Sequence, residues 1–196
     1  MRFAYNERKA AEAAAWLLKF GGGQMQYMKL IKLMYLADRR ALVETGVPIT
    51  GDRMFSLPRG PVLSQVLDNL TNPPRRDSAW SEFVSPPADY KVSLQKEPVR
   101  DQTYLSEYQL QVLEETWGEF GAMDQWDLIE WLHLALPEWK DPSGSAYPIE
   151  PDDILRAAGR SEEEIAAVGE EAEADWVMDS SISRAEDLAE SPVRVL

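Results

Sequence analysis

The chain has 196 residues with seven Trp and no Cys, so we expect one domain with a real hydrophobic core and exclude disulfides, thiolate zinc sites and a cysteine nucleophile. Its formal net charge of −14 is uneven, because residues 1–60 hold ten Lys/Arg against five Asp/Glu and residues 61–196 hold ten against 29. This balance disfavours nucleic acid as a partner, although the basic N-terminal third leaves a DNA-binding autoregulator open, and it favours a basic partner protein.

The first quarter of the chain predicts two helices. Asn6 can cap a helix over residues 7–20 that Gly21-Gly22-Gly23 ends, and a second helix runs from about Gln24 to Glu44. The second helix is apolar around most of its circumference, so we expect other elements to surround it as the central helix of the domain. Its polar positions form one narrow stripe, which consists of Gln26, Lys29, Lys32, Arg39 and Arg40.

Asp38 lies in the middle of the apolar face of this central helix. A buried carboxylate without partners is strongly destabilising, so we expect it to pair with Arg53, with Arg59 or with backbone N–H groups of residues 50–52. Two interpretations follow. Asp38 either pins the following loop to the helix or contributes directly to a functional surface.

The middle of the chain predicts a small amount of β-structure. Residues 54–57 form a short extended segment, and Gly60-Pro61 is predicted to start a helix with Pro at the position where a missing N–H costs nothing. Residues 80–84 and 90–95 alternate as strands around a Pro-rich turn at residues 86–89, which predicts a β-hairpin. With residues 54–57, this hairpin could complete a three-stranded sheet.

The following stretch is predicted to be helical. Ser106–Gln109 is a capping box that opens one helix, which Gly121 ends. Asp124 caps the next helix, which Pro137 stops. Residues 142–148 predict a loop.

Two further helix starts precede the end of the chain. Pro151 starts a short helix, and Ser161–Glu164 is a capping box that opens a helix with an almost wholly glutamate polar face. Past Trp176 there are few apolar anchors, so residues 183–186 either start a short helix or stay disordered.

These elements predict a mostly α protein of the α+β class, a compact helical domain around a buried central helix with a small antiparallel β-hairpin or three-stranded sheet. We predict a helical domain over residues 1–160 and an acidic C-terminal helix and tail over residues 161–196. The N-terminus lacks the apolar core of a signal peptide and no apolar run reaches membrane-spanning length, so we expect a cytoplasmic protein.

The single histidine, His133, removes most enzyme classes. No serine lies in a nucleophile-elbow sequence, and the E-x-x-H pair Glu130–His133 of a di-iron bundle would need a second histidine. We interpret His133 as a structural hydrogen-bonding residue and Asp152-Asp153 as charges at a helix start. The sequence predicts no catalytic residue, no metal site and no cofactor, and a small hydrolase or metal enzyme remains only as an alternative that depends on His133.

Three clustered motifs resemble the Panacea domain, a SocA-like family of helical proteins. They are K-L-x-K-L-x-Y-x-A-D-R at Lys29–Arg39, P-I-T-G-D-R at Pro48–Arg53 and P-R-G-P-V at Pro58–Val62. The family commonly has Pro-His-Gly-Pro-Val in the third motif, so Arg59 stands where that histidine often does. The resemblance covers roughly residues 5–160.

The second helical half also carries the resemblance, since His133 and Trp139 match a recurring His and Trp of the family. The family acts as antitoxins in bacterial and phage toxin–antitoxin pairs. The resemblance therefore implies a non-enzymatic protein, in a prophage or a host chromosome, that neutralises a cognate toxin from the adjacent gene by binding it. An adaptor that delivers a bound protein to a protease, and a general protein-interaction module, remain alternatives.

The motifs imply a structural set whose members hold the loop to the helix or build a binding site: Asp38, Arg39, Gly51, Asp52, Arg53, Pro58, Gly60, Pro61 and His133. Partner contacts are expected on the exposed side of the central element or on the acidic C-terminal helix. The candidates are Lys32, Arg39, Arg53, Arg59, Glu162, Glu163, Glu164 and Trp176.

Overall fold

Helices build most of the architecture in the computed structural model, which describes residues 1–74 and 77–190. The helices of these residues are α1 (Glu7–Phe20), α2 (Tyr27–Thr45), α3 (Ser64–Thr71), α4 (Ala79–Phe83), α5 (Glu107–Phe120), α6 (Gln125–Ala135), α7 (Pro151–Ala157) and α8 (Glu162–Glu190). The strands are β1 (Gln24–Gln26), β2 (Met54–Leu57), β3 (Gly60–Leu63), β4 (Lys91–Ser93) and β5 (Tyr147–Ile149). The predicted α+β class is confirmed.

Helix α2 is the buried centre of the fold, as predicted. Every residue from Leu30 to Asp38 is buried, and α1, α5, α6, α7 and β3 all pack against the helix. The prediction placed its start three residues too early, because residues 24–26 form strand β1 instead. The helix ends at Gly46, whose left-handed conformation lets its N–H bond to the Leu42 carbonyl.

Two small antiparallel sheets flank the helices. In the first, β1 pairs with β4, and Met25 lies opposite Val92. The second has the strand order β3-β2-β5, and Met54 of β2 lies between Leu63 and Ile149 in the pairing register. All five of these side chains are buried, so both sheets contribute one face to the core.

The prediction that Gly60-Pro61 starts a helix is wrong. Gly60 adopts a left-handed turn conformation with φ of +92°, and Pro61 lies opposite Ser56 in the β2–β3 hairpin. Helix α3 begins three residues later, because the Asp52 carboxylate accepts hydrogen bonds from the backbone N–H groups at its start. Proline is tolerated in an edge strand as well as at the first position of a helix, so Pro61 alone does not distinguish the two structures.

The predicted hairpin of residues 80–84 and 90–95 is also wrong in its first strand, and its second strand, β4, pairs with β1 rather than joining residues 54–57 in one sheet. The segment forms α4, whose start is capped by the Ser78 hydroxyl and whose Trp80 and Phe83 are buried. Only Val84 retains a β-bridge, to Leu94. The apolar residues of the segment satisfy helical as well as strand spacing, and packing of α4 on α1 decides in favour of the helix.

The helical second half follows the prediction closely. Asn6, Ser106 and Asp124 cap their helices through side-chain oxygens, and the Ser161–Glu164 capping box forms. Strand β5 was missed, because two of its three residues, 147 and 148, fall inside the predicted loop. Helix α8 continues through residues 183–186, and residues 191–196 of the predicted tail lie outside the described residues. The division at residue 160 stays a prediction.

Gly51 is the position where the fold tolerates a side chain least. Its φ is +69°, and a Cβ atom there would overlap the backbone carbonyl of Ala4. We expect Gly51→Ala to lower the free energy of unfolding by about 3 kcal/mol or more, measured by urea denaturation. Gly22→Ala is the matched control, because Gly22 has a φ of +79° and no atom within 4 Å of the added Cβ. Equal losses in both variants would contradict the crowding at Gly51.

Candidate functional site

Asp38 holds the loop after α2 through Thr50 rather than through an arginine. The backbone N–H of Thr50 donates to Asp38 Oδ1 at 3.1 Å, and the Thr50 hydroxyl donates to Asp38 Oδ2. The same hydroxyl accepts the N–H of Asp52 at 3.1 Å. Of the partners predicted for Asp38, the backbone of residues 50–52 is therefore the correct group.

The hydrogen bonds continue from this loop to two other parts of the fold. Asp52 accepts the N–H groups of Gln65 and Val66, each at 3.0 Å, at the start of α3. The Thr50 carbonyl accepts the N–H of Asn6, at 2.8 Å, just before α1. We call Asp38, Thr50 and Asp52 the Asp38 network. It ties α1, α2 and α3 to one loop.

Burial dominates the electrostatics of the Asp38 network. Desolvation raises the pKa of Asp38 to about 7, while the hydrogen bonds from Thr50 act in the opposite direction. Burial also raises the pKa of Asp52, against the hydrogen bonds from Gln65 and Val66. The described contacts of these carboxylates are internal, which supports the structural interpretation of Asp38, Gly51 and Asp52.

A second buried cluster fixes the turn between β2 and β3. The Lys32 ammonium donates to the Pro61 carbonyl at 2.7 Å, and the Trp139 indole N–H donates to the Leu57 carbonyl at 3.0 Å. The ring of Trp139 stacks on the ring of His133 with centroids 3.9 Å apart. Gly60 lies between the Lys32 Nζ and the His133 Nε2, so a side chain at this position would contact both. We call this arrangement the turn cradle.

Lys32 does not lie on the exposed side of the central helix, and that prediction is wrong. Its side chain is buried because β3 covers the polar stripe at this point, and only 1 % of the residue is exposed. Desolvation lowers the pKa of Lys32 to about 7. Desolvation, together with the nearby Lys32, lowers the pKa of His133, whose buried Nε2 has no hydrogen-bond partner among the described residues.

Arg39 is engaged in an internal ion pair. Its Nε lies 2.6 Å from Oε1 of Glu138, whose side chain is fully buried, and the Tyr35 hydroxyl donates to the same oxygen at 3.1 Å. Burial, followed by the charge of Glu138, raises the pKa of Tyr35. Arg39 therefore links α2 to the segment after α6. Its role as a partner contact stays a prediction.

Arg53 and Trp176, far apart in the sequence, line one cleft of about 700 Å³. The cleft lies between the N-terminal segment, strands β2 and β5, and helix α8. The Arg2 guanidinium lies 5.6 Å from the centre of the Trp176 ring, and the Arg53 guanidinium lies 5.9 Å from the Phe55 ring. Arg53 is exposed, whereas Arg59 lies elsewhere, on the β2–β3 turn.

Three glutamates predicted to contact a partner lie at the start of α8, and two of them form ion pairs with arginines. Glu162 pairs with Arg156 and Glu164 pairs with Arg160, at 2.8 and 3.0 Å. The hydrogen bond from Arg156 lowers the pKa of Glu162. The pKa of Glu164 is lowered first by the N–H of residue 161 and then by the hydrogen bond from Arg160. Glu163 is exposed between them.

The structure thus brings the motif residues together in two buried groups and leaves Arg53, Arg59, Glu163 and part of Trp176 accessible. Sequence reasoning included the backbone N–H of Thr50 but missed its hydroxyl as a partner of Asp38, and it missed Glu138, the partner of Arg39. The T-G-D motif carries a signal for Thr50, since a hydroxyl two residues before Asp52 can bond to the backbone there. No local pattern identifies Glu138, which meets Arg39 across 99 residues of sequence.

The comparisons with known proteins identify the family. The model of the family described as "Antitoxin SocA-like, Panacea domain" matches residues 30–140, more than half of the chain and inside the range of the resemblance. No curated protein and no solved structure matches the chain. The chain belongs to the SocA-like Panacea-domain family. Among the described residues, no helix is both long and apolar enough to cross a membrane.

Thr50 is expected to contribute most to the Asp38 network through its hydroxyl. Thr50→Val removes a donor to Asp38 and an acceptor for the Asp52 N–H while preserving shape, so we expect a loss of about 2–4 kcal/mol in unfolding free energy. Thr50→Ser should recover most of it. Thr71→Val, at an exposed hydroxyl that donates to the Leu67 carbonyl, is the control for replacing a threonine in general. The assignment fails if both valine variants lose the same amount.

Lys32 makes stability depend on pH. Its pKa of about 7 lies below the value near 10.4 of an unfolded lysine, so above pH 7 the unfolded chain holds a proton that the folded chain does not. Raising the pH from 7 to 9 should therefore increase the unfolding free energy of the wild type by about 2 kcal/mol relative to Lys32→Met. Lys91→Met, at an exposed lysine, should keep the wild-type dependence. Identical pH profiles for the wild type and Lys32→Met would contradict this description of the turn cradle.

Proposed function

We propose that this protein is a non-enzymatic antitoxin that neutralises a cognate protein toxin by binding it directly. The observation that carries the proposal is the family match over residues 30–140, which spans the central helix, the Asp38 network and the turn cradle. The match supports an antitoxin-like domain, and the direct binding of a specific toxin is our proposal.

The physical arrangement of the motifs supports a division between fold and binding. Asp38 and Asp52 satisfy internal donors, and Lys32 satisfies an internal acceptor, so these groups stabilise the domain. Binding then depends on side chains that the buried groups position at the surface, as rigid scaffolds commonly do. Occlusion of the toxin by such a surface requires no bond-making step by the antitoxin.

The direct test is co-expression with the product of the adjacent gene. We expect that product to arrest growth when expressed alone, and this protein to relieve the arrest and to co-purify with it in a fixed ratio. Gly51→Ala serves as the folding control, because loss of the fold should abolish both effects together. Co-purification should persist at high expression of both chains, since occlusion is stoichiometric.

Three results would contradict the proposal. A harmless neighbour that does not co-purify removes the toxin partner. A partner whose abundance falls over time, with growth restored only while a cellular protease is active, establishes the adaptor instead. Relief of arrest without any complex in the purified material excludes direct binding.

A further inference from the structure

An apolar groove of about 260 Å³ lies beside the turn cradle. It is formed by the start of α2, the β2–β3 turn and α3. The apolar side chains that line it are Tyr27, Met28, Ile31, Leu57, Val62 and Leu67. A volume of this size accommodates one or two large side chains, so the groove can receive an apolar side chain that projects from another molecule.

The charges of this groove are opposite to those of the chain as a whole. Its only charged lining residues are Arg59 and Lys32, and no carboxylate lines it among the described residues, although the chain carries a net charge of −14. Arg59 is exposed, whereas Lys32 is buried and donates to the Pro61 carbonyl, so Arg59 is the cation that an incoming carboxylate can reach. A ligand that brings a carboxylate next to its apolar side chain matches this arrangement.

Exposed aromatic side chains lie close to two residues that line the groove. The Arg59 guanidinium lies 6.0 Å from the centre of the Trp126 ring, and Trp126 is 57 % exposed. The rings of Tyr27 and Tyr90 are stacked with their centroids 6.3 Å apart, and Tyr90 is 75 % exposed. Trp, Tyr and Arg are the residue types that contribute most to binding energy at protein interfaces.

The backbone holds this surface in a fixed shape before any partner arrives. The turn that carries Arg59 is bonded at the Leu57 carbonyl by Trp139 and at the Pro61 carbonyl by Lys32. Tyr90 is held at a φ of +62° within a tight turn, a conformation that favours glycine. A surface that is already ordered loses less entropy when it binds a partner. The strained Tyr90 and the hydrogen-bonded turn that carries Arg59 fit such a binding surface.

We propose that this surface, which consists of the groove with Arg59, Trp126 and Tyr90, is where the toxin docks, and that it receives an apolar side chain of the toxin followed by a carboxylate. The inference rests on the proposed function for the identity of the partner. It assigns the binding energy to this face rather than to the acidic face of α8.

The first test uses the complex with the product of the adjacent gene. Arg59→Glu should weaken binding at least about tenfold, because it places a carboxylate against the carboxylate of the toxin. Tyr90→Gly should weaken binding by a similar factor without loss of thermal stability, because glycine relieves the left-handed strain of the turn. Arg53→Glu makes an equal change of charge at a rival candidate contact, in the cleft that Trp176 lines, and the proposal expects this variant to bind like the wild type.

A combined variant of α8, Glu163→Gln with Glu170→Gln and Glu171→Gln, separates the two faces. These three glutamates are exposed. The proposal expects this variant to bind within a factor of about three of the wild type at physiological salt. Strong loss in this variant, or in Arg53→Glu, with Arg59→Glu unaffected, would overturn the placement of the docking surface.

A second test needs no toxin and therefore distinguishes failure of the inference from failure of the proposed function. The full chain is titrated with N-acetyl-Leu-Glu-amide while its backbone amide resonances are followed by NMR. We expect shifts concentrated at residues 57–62 and around Tyr27, with weaker binding of the Leu-Gln peptide and weakest binding of the Leu-Lys peptide. Shifts that are absent, scattered or independent of the peptide charge would overturn the inference.

Self-association provides the remaining decisive outcome. Sedimentation should show that the free chain is monomeric at concentrations where the toxin complex forms. A dimer that Arg59→Glu dissociates would assign the surface to a second copy of this chain and overturn its assignment to the toxin.

Discussion

The buried carboxylate of Asp38 is the group on which the rest of the structure depends. Its two oxygens accept the N–H and the hydroxyl of Thr50, and Thr50 in turn bonds to Asp52 and to the residue before α1. A charged or partly protonated carboxylate in an apolar helix face is costly unless such donors satisfy it. The central helix, the loop after it and the start of α3 are therefore held in one geometry by hydrogen bonds that begin at Asp38 and continue through Thr50 and Asp52.

The turn cradle uses buried hydrogen bonds in the same way to fix a turn at the surface. Lys32 and Trp139 bond to carbonyl groups on either side of the Pro58–Arg59 dipeptide, so buried polar groups define where an exposed arginine points. Arg59 is exposed on this turn, whereas the ring of His133 stacks on the ring of Trp139.

Much of this fold was predictable from local chemistry. Apolar periodicity identified the buried central helix, and side-chain caps at Asn6, Ser106 and Asp124 located three helix starts. Failures occurred where tertiary contacts decide between two patterns with similar local signals. Residues 80–84 satisfy strand alternation, yet packing on α1 makes residues 80–83 helical. Pro61 lies in the edge strand β3, and α3 begins only at the residues that Asp52 caps. The wrong prediction for Lys32 arises because a helical wheel shows a polar stripe but not the strand that covers it.

The proposed docking surface could be predicted only in part from the sequence, because Trp126 and Tyr90 belong to elements other than the turn that carries Arg59.

Hydrogen–deuterium exchange of this chain, alone and in complex with the product of the adjacent gene, tests the central claim most directly. It reports the contact surface without any substitution. The account predicts that the complex forms and that protection appears in the β2–β3 turn, at the start of α2 and in the turn that contains Tyr90. Protection confined to α8, or a chain whose exchange is unchanged by its neighbour, would contradict it.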